Sequence, residues 1–451
     1  MKLRSFTQQT FYLLILSMLV SAQSFPQDIN ERIKTLEEKL KIQQEIIQKQ
    51  QTIIQQLQEE LQQIKAQAVS EKPPAQPEEK PVYASGGLFG AASAYNPNIS
   101  LILDTFGYST NLKEDELENW NIPGFIKEGL HHQKGMNIHA AELYLFAPVD
   151  PFFNLYATIP VTQEGVELEE AYLVTTTLPA GLQAKIGKFK SGFGRLNSQH
   201  AHVWNFVDQP LVYRAFTGHE GINEKGIQLT WLPKLPIYTQ FGIEALQGEN
   251  EILFGNDGSK GLHAFGAFAK MSFDIGSYGT ILFGPSLMIG DTKTDSIEQD
   301  HIFIGDTKLF GFEFTYKWKP SRWKSFLLQS EYLLRSQKGK LEDTATSTLH
   351  TLKRSQDGLY LQTIYQTGRW GFGARYDLLE PFKDTFKLDG VQTSFGDKPW
   401  RASAMVEFNP SEFSKIRLQY NYDRSSRANI TNNEVFLQFI GGVGAHAAHT
   451  F

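Results

Sequence analysis

The spacing with the clearest metal-binding chemistry in this 451-residue chain is a pair of histidines two apart, His200 and His202. On a strand, residues i and i+2 face the same side, so both imidazoles could bind one zinc-like ion. His131, His132, His446 and His449 could add ligands from elsewhere. The chain has no cysteine, and no acid adjoins the pair to complete a coordination sphere. The competing reading is a polar loop whose imidazoles bond to backbone, with Trp204 packed nearby. The surrounding stretch, GKFKSGFGRLNSQHAHVWNFVDQPLVYRAF (187–216), also concentrates basic groups. Lys188, Lys190, Arg195 and Arg214 stand there against Asp208, with Glu220 just beyond. Basic side chains at a narrowing lower the barrier for anions. The stretch therefore reads first as a pore constriction built from Lys188, Lys190, Arg195, Asp208 and Arg214. Metal binding by His200 and His202 is the second reading.

Other chemistries fail on spacing. Gly181 and Gly187-Lys188 sit one residue too far apart for a phosphate-binding loop, and Phe189 stands where a Mg²⁺-holding Ser or Thr is required. There is no HExxH and no GxSxG, and His219-Glu220 lacks a second histidine four residues after the first. No nucleophile with a nearby base stands out, so the chain reads as a protein other than an enzyme, with no cofactor called for. A net charge of −6 does not suggest a nucleic-acid partner.

The elements that position these residues fall into distinct regions. Residues 1–22 read as a secretory signal: Lys2 and Arg4 precede the apolar run FYLLILSMLV, and Val20-Ser21-Ala22 offers small residues for cleavage. Ten apolar residues are too few to span a bilayer, which takes roughly 20. Residues 28–68 carry a heptad seam from Ile29 to Ala68, polar at Gln43 and Gln50, and read as a coiled coil about 60 Å long. Residues 69–97 read as a proline-rich linker and entry to the next region.

From residue 98 to 451 the apolar period becomes two. In TKLFGFEFTYKW, Phe310, Phe312, Phe314, Tyr316 and Trp318 share one face and Gly311, Glu313, Thr315 and Lys317 the other. In KIRLQYNYD, Ile416, Leu418, Tyr420 and Tyr422 oppose Arg417, Gln419, Asn421 and Asp423. Lipid outside and water inside explains that segregation. Short turns fall at 148–151, 178–181, 233–236, 275–279, 319–324, 367–370 and 409–414. Longer polar loops alternate with them at 110–134, 191–224, 248–260, 291–305, 337–356, 381–398 and 425–432. The expectation is an all-β transmembrane barrel of about sixteen antiparallel strands, preceded by the α-helical coiled coil. A sheet in lipid must close, because unpaired backbone groups there find no water. The last residues, GAHAAHTF, read equally as strand or tail.

The segment Gly187-Lys188-Phe189-Lys190, Phe193-Gly194, Phe206, Asp208 and Arg214-Ala215-Phe216, after ELEEAYL (167–173), resembles the phosphate-selective porin family of bacterial outer-membrane proteins. Members of this group are sometimes labelled zinc-regulated outer-membrane receptors. The resemblance implies a sixteen-stranded, trimeric channel of Gram-negative outer membranes, whose third outer loop folds inward. The sequence departs from the family's run of pore arginines. Inward positions mix Lys185, Lys270, Lys317, Arg335, Arg375, Arg401, Lys415 and Arg417 with Glu142, Glu170, Glu244, Asp274, Glu313, Glu331, Asp377, Glu407 and Asp423. The expected function is passive diffusion of small hydrophilic solutes with a modest anion preference, phosphate among them, through a bore narrowed by the 191–224 loop. Outer-membrane lipid and small anionic or polar solutes are the expected partners, in a homotrimer with its coiled coil in the periplasm. The alternatives are a channel or receptor for zinc uptake using the loop histidines, and a structural envelope protein.

Overall fold

The computed structural model describes residues 97–451 apart from 128–131, 256–260, 296, 298–299, 428–429 and 445–451. The expectations for residues 1–96, and for the tail beyond Gly444, lie outside the described residues. Those described belong to one compact unit.

Period-two alternation becomes one closed antiparallel sheet. Its first half comprises β1 (Asn98–Thr110), β2 (Gly135–Pro148), β3 (Phe153–Val161), β4 (Glu170–Thr175), β5 (Leu182–Lys190), β6 (Asn223–Trp231), β7 (Tyr238–Leu246) and β8 (Ala264–Ile275). The second half comprises β9 (Gly279–Thr294), β10 (His301–Ser321), β11 (Lys324–Asp343), β12 (Thr348–Thr367), β13 (Trp370–Leu388), β15 (Trp400–Ser411), β16 (Ser414–Asp423) and β17 (Asn432–Gly444). The two-residue β14 (Val391–Gln392) pairs only with the upper end of β13. Each spanning strand pairs with its neighbours in sequence, and β1 pairs with β17 to close a sixteen-stranded barrel.

All seven short turns fall where the polar breaks predict. The long loops are shorter than expected on one side, because strands continue into them. β10 to β13 run 19–21 residues, so most of 337–356 is β-ladder. A tilted spanning strand needs roughly 9–11 residues. This wall therefore continues well past the membrane, while β3, β4 and β5, at 9, 6 and 9 residues, stay low.

The outward face is apolar. Phe312, Phe372, Leu418, Leu437 and Phe439 are exposed along it, whereas Glu313, Gln419 and Gln438 on the alternate positions are buried inside. Trp231, Tyr238, Tyr278, Trp323, Trp370 and Phe413 are exposed at the short-turn ends, which places an aromatic girdle at that rim.

The barrel is not hollow. Phe125, Phe189, Phe193, Leu196, Leu211, Val212, Phe216, Leu253 and Phe254 form one buried apolar cluster inside it, drawn mostly from loops. Two short helices lie in these loops, α1 (Glu114–Glu118) and α2 (Leu211–Thr217). Neither was legible in the sequence: LVYRAFT is apolar nearly all round, as suits a helix surrounded by protein.

Candidate functional site: an infolded loop and the passage it leaves

The loop between β5 and β6 leaves the wall at Ser191 and returns at Ile222. Asn197 ties its two ends together, donating from Nδ2 to Ser191 O and Ile222 O at 3.0 Å each and accepting from Ile222 N at 2.7 Å. From there the loop crosses the lumen to the opposite wall. Irregular backbone inside a barrel has to find partners for its N–H and C=O groups. Wall side chains supply them.

Carboxylates take the N–H groups. Glu244 on β7 accepts from Gly192 N at 2.8 Å. Glu331 on β11 accepts from Arg195 N at 2.8 Å, Leu196 N at 3.0 Å and the Tyr213 hydroxyl at 2.6 Å. Asp377 on β13 accepts from Leu211 N at 3.0 Å, the first residue of α2. Gly194 makes the first turn possible. Its φ of +59° favours glycine, and a Cβ there would strike Tyr213 and Glu331.

Arginines take the carbonyls. One inward arginine stands on each of the consecutive strands β11, β12, β13, β15 and β16. Arg335 donates to Ala215 O, Arg375 to Asp208 O, Arg401 to Gln209 O and Arg417 to Trp204 O, while Arg354 donates to Gly124 O of the β1–β2 loop. All five are at most 3% exposed. Asp208 meets two of them head on, 2.8 Å from Arg375 Nη2 and 2.7 Å from Arg401 Nη1. Burial pushes the Asp208 carboxyl up, but the two guanidiniums outweigh it and hold the group well below the usual carboxylate range. These arginines therefore act as loop anchors, withdrawn from solvent. Several of the mixed inward charges are matched pairs: Lys270 with Glu313, Arg375 and Arg401 with Asp377, and Arg417 with Glu407.

The positions expected at a constriction separate into two groups. Lys188 Nζ donates to Leu168 O at 2.9 Å, and Lys190 Nζ pairs with Glu169 at 2.8 Å. Arg195 is held through its backbone by Glu331. Of the five, Asp208 and Arg214 line the larger of two cavities beside the loop. Arg214 is the one residue of α2 that is not fully buried.

That open space lies toward β1 to β4, where two cavities of about 140 and 400 Å³ adjoin, both reaching His139, Glu167, His219 and Glu220. Asp104, Glu142, Glu164, Glu167, Glu169, Asp208, Glu220 and Glu434 contribute carboxylates to their lining, while among the described residues Arg214 and Arg401 are its only Lys or Arg. Burial, and Glu167 nearby, push the Glu220 carboxyl up, so the lining already crowds its negative charge.

His200 and His202 sit at the edge of this space. His200 precedes the 3₁₀ turn Ala201–Val203 and His202 lies within it, so neither is on a strand, yet their rings stack with centroids 5.8 Å apart. Carboxylates flank both rings. His200 Nδ1 lies 3.1 Å from Glu169 Oε2, its Nε2 lies 2.9 Å from Glu170 Oε2, and His202 Nδ1 lies 3.2 Å from Glu142 Oε2. Burial lowers the basicity of His200, but the two flanking carboxylates overcome it and lift the pKa to about 10. The acids missing from the local sequence thus come from β2 and from the start of β4. Trp204 packs nearby and donates to Gln199 O at 3.2 Å.

A sixteen-stranded antiparallel barrel with a loop folded into its lumen is the architecture of an outer-membrane porin. No family model matches the chain. The chain belongs to the same family as an uncharacterized protein of Aquifex aeolicus (strain VF5), with 41% identity over 384 residues, covering 79% of this chain and 80% of that protein. Among solved structures, the outer membrane channel DcaP of Acinetobacter baumannii shares the fold at a TM-score of 0.50 and 12% identity, over 77% of this chain and 97% of that one. An anion-selective porin from Comamonas acidovorans aligns at a TM-score of 0.46 and 9% identity, over 77% of this chain and 99% of that one.

Proposed function

We propose that the protein is a passive outer-membrane channel for small hydrophilic solutes, and that its narrowest passage runs between the 191–222 loop and the β1–β4 wall. The observation that carries this is the lining: with Glu169 and Asp208 already paired to basic groups, Glu164, Glu167 and Glu220 remain as exposed carboxylates on the open space. A modest anion preference follows from the loop's sequence if Lys188, Lys190, Arg195 and Arg214 meet the permeating ion. The geometry supports the opposite sign, because Lys190 is neutralised by Glu169 and the wall arginines hold loop carbonyls. Charges more than about 8 Å from the ion are screened at physiological salt, so the lining governs selectivity. We therefore assign a preference for cations and neutral polar solutes.

Three copies forming a trimer, with residues 28–68 as a periplasmic coil and 1–22 as an export signal, complete the proposal. Reversal potentials across a salt gradient in planar bilayers test it, with crosslinking in membranes as the test of the trimer. Cation-selective conductance is the expected result. Absence of conductance by a folded barrel would remove the channel reading, and anion selectivity would return the constriction to the four basic residues.

A further inference from the structure

We propose that Glu142, Glu169 and His200 form a binding site for a zinc-like divalent cation on the cavity wall. The proposal names a ligand for the proposed channel but does not require that the barrel conduct.

Three separate chain segments bring the donors together: β2 supplies Glu142, the residue before β4 supplies Glu169, and the infolded loop supplies the imidazole. His200 Nδ1 is 3.1 Å from Glu169 Oε2 and 3.6 Å from Glu142 Oε2, and one donor atom from each of the three residues lies within 4.8 Å of the others. Zinc bonds of about 2.0–2.2 Å in tetrahedral geometry place donor atoms roughly 3.3–3.6 Å apart. The observed spacings straddle that range, so little movement separates this arrangement from a coordinated ion. His202 Nδ1, at 3.2 Å from Glu142 Oε2, orients that carboxylate from beside the three donors.

The surrounding bonds leave these donor atoms oriented inward. Glu170 Oε2 lies 2.9 Å from His200 Nε2 and holds a proton there, which directs Nδ1 toward the site. A carboxylate on the far nitrogen is the usual support of a metal-bound histidine. Glu170 is itself held by the Lys190 N–H at 2.7 Å, and Lys190 Nζ takes Glu169 Oε1 at 2.8 Å, leaving Oε2 for the ion. Binding forms a metal–nitrogen bond at Nδ1 and releases to solvent the proton that Nδ1 otherwise shares with Glu169. Carboxylate oxygens combined with imidazole nitrogens suit zinc and similar transition ions better than Ca²⁺ or Mg²⁺, which take all-oxygen shells.

The test uses the full-length folded protein in detergent, stripped with a chelator and titrated calorimetrically with Zn²⁺. One Zn²⁺ per chain is expected, undisturbed by excess Mg²⁺ or Ca²⁺. It should be lost in His200→Gln, weakened at least tenfold in Glu142→Gln and Glu169→Gln, and weakened about 10–100-fold in Glu170→Gln with the stoichiometry retained. His350→Ala, which disrupts an exposed histidine–aspartate pair elsewhere, should leave it unchanged. Heat-dependent migration on gels verifies that each variant is folded. Should His200→Gln not fold, Co²⁺ bound to the wild type decides: tetrahedral visible bands that Zn²⁺ abolishes support the site. No saturable binding, binding unaltered in folded His200→Gln, or displacement by Ca²⁺ would overturn it. Conductance recordings made without metal test the channel separately.

Discussion

Asp208 Oδ1 on the infolded loop lies 2.8 Å from Arg375 Nη2 on β13, joining residues 167 apart in sequence across the lumen. Arg401 on β15 approaches the same carboxylate at 2.7 Å, and the carboxamides of Gln419 and Asn421 donate to it at 2.6 and 3.1 Å. A buried charge held this way is costly to remove, because the partners are left uncompensated. Truncating one member of such a pair destabilises by about 3–5 kcal/mol.

Asp208→Ala should therefore free the middle of the loop while leaving the barrel closed. Single-channel recording should show larger and noisier conductance than wild type, and hydrogen exchange in 200–216 should rise. Unchanged conductance would mean that the remaining carbonyl contacts suffice.

Acid acts on the same anchor. The Asp208 pKa is depressed in the folded protein, so its contribution is complete above the unfolded value of about 3.9 and lost as pH falls through the lower folded value. Loop-dependent conductance should hold steady down to about pH 4 and change only below it. A transition near neutral pH that Asp208→Asn removes would contradict this assignment.

Selectivity should respond to the lining. Glu167→Gln with Glu220→Gln should shift the reversal potential toward anions, since both groups face the two cavities. Lys188→Gln with Lys190→Gln should shift it less, because Lys190 is bound by Glu169 and Lys188 by a backbone carbonyl. The reverse ranking would place the lysines at the narrowest point.

Gly194 should tolerate no side chain. At φ +59°, alanine is strained, and its Cβ would displace Tyr213 or Glu331. Such strain costs of order 1–3 kcal/mol. Gly194→Ala should lower the temperature at which the folded gel form is lost, and an unchanged temperature would show that the turn relaxes freely.

The isolated 28–68 peptide should sediment as a parallel trimer. Its seam predicts association, and the porin resemblance predicts the number. A monomer at high micromolar concentration would remove the coil, while a dimer would spare the coil and break the match.

The sequence by itself determined the barrel. Alternation such as Phe310, Phe312 and Phe314 against Gly311, Glu313 and Thr315 is local, because a strand's period of two assigns each residue to lipid or lumen without reference to its neighbours in space. Turns such as 367–370 and 409–414 punctuate that period, so strand number followed from counting them. Partner choice inside the lumen is not local. Nothing near Arg375 in sequence indicates that it binds Asp208, and nothing near His200 indicates that Glu142 is 58 residues upstream yet within coordination reach. The basic residues of 187–216 read as pore groups because sequence shows charge but not the charge facing it. Only tertiary structure decided which arginines hold the loop and which carboxylates still meet water. Buried polar groups have to be paired, and closing the sheet is what brings their partners across the barrel.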